Sequence, residues 1–127
     1  MKRVLNELQT RYRLALISDA QSCFAMPEIH AVGLNGYFDP IIISSRYGFR
    51  KPDSRLFKKA LDRMGLEPNE VIGIGNDMFR DIHGAKQLGI RSIFIDSNQG
   101  TKAFKDVIPD YRVTQFDNVV TGVAALG

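Results

Sequence analysis

The chain has 127 residues, 17 Lys/Arg against 14 Asp/Glu for a net charge of +3, and 44% hydrophobic residues. That is one ordinary domain, apolar enough to bury a core and too weakly charged to be disordered. Its single cysteine excludes an internal disulfide framework and a cysteine-based zinc site, and its apolar runs of about four residues fall far short of the ~20 of a membrane span or the ~7–15 of a signal-peptide core. No Lys/Arg run exceeds two residues and Trp is absent, so no nucleic-acid partner is expected. A cytoplasmic protein without membrane contact is expected.

The periodicity alternates along the chain. Residues 2–11 place Val4, Leu5 and Leu8 on one helical face. Leu14–Ile17 is a short apolar run ending at Ser18-Asp19 and reads as a buried strand. Residues 20–34 read as a helix with a break near Pro27. The β-branched run Ile41–Ile43 after Asp39-Pro40 reads as a second strand. Residues 53–64 carry Leu56, Phe57, Ala60, Leu61 and Met64 at helical spacing, with Gly65 as the stop. Val71–Gly75 predicts a third strand, 79–88 a helix closed by Gly89, and Ser92–Asp96 a fourth strand. Tyr111–Thr114 predicts a fifth strand and 117–126 a last helix. Strands that are apolar throughout and alternate with helices argue for a parallel sheet covered on both faces. Ligands then bind beyond the carboxyl ends of the strands.

Three polar groups fall at those ends. Ser18 either caps the next helix or, with free backbone N–H groups, holds a phosphate oxygen. Lys51, just before Pro52, is either a solvated lysine beside Arg46, Arg50 and Arg55 or a cation that reaches over the sheet edge to an anion. Asp77 and Asp81, with Asn76 beside them, either cap the following helix or present hard oxygen ligands to Mg²⁺. Gly73-x-Gly75 is not a dinucleotide fingerprint, because the third glycine of that pattern falls on Met78.

In combination these features resemble the C-terminal portion of a haloacid dehalogenase (HAD) superfamily hydrolase. Gly36–Asp39 through Gly48-Phe49-Arg50-Lys51-Pro52-Asp53 is similar to the stretch leading into that family's third motif. Ile74-Gly75-Asn76-Asp77 through Asp81–Gly89 is similar to its fourth. The resemblance implies a HAD-like, Rossmannoid three-layer α/β fold and Mg²⁺-dependent hydrolysis of a small phosphorylated substrate through an aspartyl-phosphate. It assigns the phosphoryl contact to Ser18, with Asp19 beside it, and to Lys51, whose charge also serves catalysis. It assigns Mg²⁺ to Asp77 and Asp81, with Asn76 as a neutral ligand. A phosphoryl group in transfer needs such a cation clamp and fixed donors aimed at its oxygens.

The family's D-x-D nucleophile motif matches no aspartate pair in this sequence. The expectation is a partial core domain over 1–127, lacking the first strand and any cap domain: a fragment, half of a split protein or a truncated paralogue. Without its nucleophile the chain is expected to be inactive alone and to bind Mg²⁺ weakly or not at all. The alternative is a non-catalytic interaction module that binds another chain through its incomplete sheet. By the resemblance, the strand ending at Ser18 and the strand ending at Gly75 would flank the missing one. Either Leu14–Ile17 pairs directly with Val71–Gly75, or a second chain supplies a strand, as an interlocked homodimer or a complementing N-terminal chain. Supply by a second chain is expected, because direct pairing would make the covering helices overlap at their ~8–10 Å packing distance.

Overall fold

A computed structural model describes residues 2–19, 36–97 and 100–127. The helix expected over 20–34 lies outside the described residues.

Helix α1 (Lys2–Gln9) forms because Val4, Leu5 and Leu8 share a face, and all three are buried. It closes where Arg11 and Tyr12 both donate their N–H to the Leu8 carbonyl. Strand β1 (Leu16–Ser18) follows, then β2 (Ile41–Ile43), and the two pair in parallel with Leu16 opposite Ile41. A short 3₁₀ turn, Ser44–Arg46, leads out of β2. Helix α2 (Ser54–Met64) is capped by Asp53, whose side chain accepts the Arg55 N–H. Asp53 is therefore its N-cap, at the start of the span 53–64 read from the sequence. The Arg55 guanidinium and N–H hold the Asp53 carboxyl down to about 2. The helix stops at Gly65, which sits at φ 69° and sends its N–H back to the last turn.

Strand β3 (Ile72–Gly75) pairs with β4 (Arg91–Ile95), and β4 with β5 (Tyr111–Val113), all parallel. Between β3 and β4 the chain makes a π-helical segment, Met78–His83, that runs into a short α-helical turn α3 (Gly84–Lys86). A uniform α-helix was the expectation over 79–88. The widening shows where the Asp77 carbonyl accepts from both Asp81 and Ile82. The last helix, α4 (Val119–Leu126), follows a 3₁₀ turn at Phe116–Asn118.

Side chains alternate across each strand, and the core divides accordingly. On one face, Val4 and Leu8 of α1 and Val119 and Val123 of α4 pack on Ile93 and Val113, with Leu14 and Ile72 joining them. On the other, Phe57 and Leu61 of α2 pack with Ala85, Ile90, Ile17 and Val71. Leu56 and Ala60 cover Ile42 and Ile17 beside that cluster. Met78 and Ile82 cover Phe94. The result is three layers, helices on both sides of parallel strands, as the sequence predicts.

The strands do not form one sheet. Among the described residues, β1 pairs only with β2 and β3 only with β4. Direct pairing of β1 with β3, one of the two expected outcomes, is absent. Both strands are only partly buried along their length and Ile74 is 38% exposed, whereas Ser92, Ile93 and Phe94 of the doubly paired β4 are at most 1% exposed. The helical layers nevertheless cross the break on both faces. One cluster holds Leu14 with Ile72, and another holds Ile17 with Val71.

Candidate functional site

The site residues lie at the carboxyl ends of β1 and β3 and in the turn before α2. Ser18 ends β1 and Asp19 follows it. The Asp19 Oδ1 accepts the Lys51 backbone N–H at 2.9 Å. The Lys51 Nζ reaches the Asp81 Oδ1 at 2.7 Å, with both side chains about five-sixths covered. The second Asp81 oxygen accepts the Asp77 N–H at 3.2 Å. This chain of contacts runs from the β1–β2 side to the β3–β4–β5 side and ties their carboxyl ends together. It brings the carboxyl ends of β1 and β3 beside each other.

Asp77 is buried, and its Oδ1 caps the π-helical segment by accepting from the Phe79 and Arg80 N–H groups at 3.0 and 2.8 Å. Burial pushes its carboxyl up, but the backbone N–H groups of Arg80, Thr101 and Phe79 and the Arg80 charge outweigh that, so its pKa lies below the ordinary 3.8. It is therefore a fixed anion at neutral pH. Asn76 enters the region through its backbone, on which Gly100 sits closely at φ +82°.

The structure shows how the residues singled out in the sequence connect. Asp19, Lys51, Asp77 and Asp81 come together, with Ser18 next to Asp19. Asp19 was grouped with the phosphate contacts; here its Oδ1 holds the Lys51 loop, while its Oδ2 is buried without a hydrogen-bond partner. Both readings of Lys51 and of the acids were open, and each acid now has a local job: Asp77 as a cap, Asp81 as the partner of Lys51. The donors are the hard oxygens that Mg²⁺ prefers. Among the described residues, however, no three Asp, Glu, His or Cys side chains are grouped to hold a metal ion. The residues present do not by themselves make a magnesium site.

Gly75 is a residue whose role the sequence reading missed. A Cβ there would run into the Asp81 Cβ and carboxylate, so only glycine lets Asp81 fold back over the strand end. The G-x-G pattern that failed as a dinucleotide motif was the available clue. Its first glycine has a packing role too, since a Cβ at Gly73 would press on the Ala85 methyl at 3.2 Å. A surface cleft of about 300 Å³, lined by residues that include Asp96, Tyr111, Arg112 and Thr121, lies at the β5 side and shares none of the network residues.

The profile of the haloacid dehalogenase-like hydrolases matches residues 1–95. The chain belongs to that family. It is 35% identical over 95 residues to a glyceraldehyde 3-phosphate phosphatase of Methanothermobacter thermautotrophicus, covering 75% of this chain and 42% of that protein. It is 31% identical over 100 residues to a phosphoserine phosphatase of Thermus thermophilus, covering 79% of this chain and 40% of that one. A HAD-hydrolase of Bacillus subtilis solved with magnesium bound superposes with a TM-score of 0.88 at 20% identity, over 96% of this chain and 54% of that one. The chain therefore spans less than half the length of these two relatives, and it carries an incomplete, Rossmann-like HAD fold.

Proposed function

We propose that this chain carries one part of a phosphate-ester hydrolysis site and does not turn over alone. The observation that carries this reading is the Lys51–Asp81 ion pair, which holds an ammonium at the carboxyl ends of the strands on both sides of the break. There Lys51 is the cation for a phosphoryl group, and Ser18 the hydroxyl beside it. Asp77 and Asp81 are the carboxylates turned to a metal once the remaining ligands are supplied, with Asn76 adjacent. Mg²⁺ binding by these residues alone is weak, since both carboxylates already accept hydrogen bonds. The phosphatase relatives support a small phosphorylated substrate. No described helix is long and apolar enough to cross a membrane.

The test is direct. Purified chain with Mg²⁺ is expected to leave p-nitrophenyl phosphate at the buffer rate. Turnover that survives purification and disappears in Asp77→Ala overturns the reading. A second reading, a non-catalytic module that binds another chain, is favoured by the unpaired edges of β1 and β3. Both readings require a partner at the break.

A further inference from the structure

We propose that the outer face of α2, with the loop that leads into it, is a docking surface for an extended acidic segment of another protein, one that carries a carboxylate at every second residue. The inference goes beyond the proposed reaction and does not rest on it, because the cations it uses lie outside the Lys51–Asp81 pair.

The positive charge of this molecule is gathered in one stretch. Residues 46–63 hold seven Lys/Arg against two Asp/Glu, a net +5, while the rest of the chain holds ten against twelve, a net −2. Two of the seven are already committed. Lys51 is held by Asp81, and Arg55 grips both Asp53 carboxylate oxygens at 3.1 and 2.7 Å. Arg46, Arg50, Lys58, Lys59 and Arg63 are exposed and make no ion pair among the described residues. Arg55, Lys59 and Arg63 follow one another at four-residue steps, so they share one face of α2, and like charges at that spacing weaken a helix. A face that only meets solvent ordinarily mixes its signs. Here Asp62 is the one exposed acid of the helix.

Aromatic rings hold this row in place. The Arg55 guanidinium sits 3.8 Å over the Phe49 ring, the Lys59 ammonium lies 5.8 Å from the Tyr47 ring centre, and Arg63 donates to the Tyr47 hydroxyl at 3.3 Å. Tyr47 thus positions two cations that have no acid of their own. Side chains already held lose less freedom when a partner arrives. The spacing then selects the partner. Along α2 each four-residue step advances about 6 Å. In an extended chain every second side chain points the same way, at intervals of about 6.6 Å. Carboxylates at alternate positions of an extended segment therefore meet successive cations of the row.

Other anionic partners fit this face less well. Single-stranded nucleic acid stacks its bases on open aromatic rings. Phe49 and Tyr47 are partly buried, and each already carries a cation of this chain on a face. A membrane surface takes up apolar side chains beside the cations. The large apolar side chains exposed among the described residues are Tyr12, Ile74 and Ile108, all outside this stretch. A second copy offers little acid, since Asp96, Asp110 and Asp117 are each paired within the chain, with Lys102, Lys86 and Arg3.

The experiment titrates the full chain with the capped peptide acetyl-Glu-Thr-Glu-Thr-Glu-Thr-Glu-amide and follows backbone amide shifts by NMR, with light scattering in parallel. The control peptide has the same composition with its four glutamates contiguous, and a thymidine pentanucleotide carries the same four charges on a nucleic acid. Expected is saturable binding at or below about 1 mM in low salt, with the shifts centred on residues 46–63. Raising the salt to about 0.3 M is expected to weaken it roughly tenfold. The contiguous peptide and the pentanucleotide are each expected to bind roughly threefold more weakly than the alternating one. Lys59→Gln with Arg63→Gln, both exposed, is expected to keep the melting temperature and lose roughly tenfold in affinity, whereas Asp62→Asn is expected to gain about twofold.

No shift at millimolar peptide overturns the proposal, and so do equal affinities for the two peptides or full affinity in the Lys59→Gln, Arg63→Gln chain. Tighter binding of the pentanucleotide overturns it in favour of a nucleic acid. Salt-sensitive dimerisation of the chain alone, abolished by the same double substitution, overturns it in favour of a second copy. Sedimentation with phosphatidylserine vesicles that the double substitution abolishes overturns it in favour of a membrane surface.

Discussion

Substituting Gly75 by alanine tests the coupling between the end of β3 and the site. The added methyl would meet the Asp81 Cβ, Cγ and Oδ2 well inside contact distance. Overpacking of this kind costs ~1–3 kcal/mol, and replacing glycine in a strand returns ~0.5–1 kcal/mol. Asp81 can yield only by leaving Lys51, and for a pair whose side chains are 16% and 15% exposed that loss adds about 1 kcal/mol, between the surface and fully buried cases. The net destabilisation is about 2 kcal/mol. Urea unfolding followed by circular dichroism measures it, with an unchanged slope confirming that the unfolded states match. The reasoning has a sharper consequence. Because the Asp81 Cβ is itself as close as any atom of that side chain, Asp81→Ala does not relieve the clash, whereas Asp81→Gly does. In the Asp81→Gly background Gly75→Ala is expected to become neutral or slightly stabilising. Equal costs for Gly75→Ala in the wild-type and Asp81→Gly backgrounds would refute the contact as the cause.

Asp77→Ala removes the acceptor of two N–H groups and is expected to cost ~1–2 kcal/mol in chemical denaturation. The Asp77 pKa is depressed on folding, so its charge stabilises the fold above the unfolded value of 3.8 and ceases to as pH falls through the lower folded value. The melting curves of wild type and Asp77→Asn are therefore expected to converge on acidification below that range; a gap that persists or widens there rejects the sign. Leu56, fully buried between α2 and β2, is expected to cost ~2–5 kcal/mol on truncation to alanine, read by thermal or urea unfolding. Gly84→Ala is expected to destabilise despite alanine's better helix propensity, because its methyl meets the Phe57 ring, and Phe57→Leu should relieve it. Titration calorimetry with Mg²⁺ is expected to show no micromolar binding, and tight binding would mean that the described carboxylates suffice.

Much of this molecule is legible in the order of its residues, because its local rules agree with one another. The apolar spacing of Val4, Leu5 and Leu8, the face Leu56-Phe57-Ala60-Leu61, the β-branched run at 41–43 and the short apolar run within 92–96 each specify an element through local pattern alone. Parallel strands then place Ser18, Lys51 and Asp77 at one end of the fold, since ligands gather beyond the strands' carboxyl ends. What the sequence could not decide was which partners Lys51 takes, because Asp19 and Asp81 lie 32 and 30 residues from it. Lys51 meets Asp81 and Asp19 only after α2 and β3 have folded around them. The same holds for Gly75, whose requirement for a missing Cβ comes from where Asp81 folds back, and for the π-helical widening after Asp77, which no periodicity announces. The break in the sheet is the clearest case. Hydrophobic patterning says that β1 and β3 are buried strands, but not whether they touch. Only the tertiary structure shows that they do not pair and that the helical layers on both faces join them, through Leu14 with Ile72 and Ile17 with Val71.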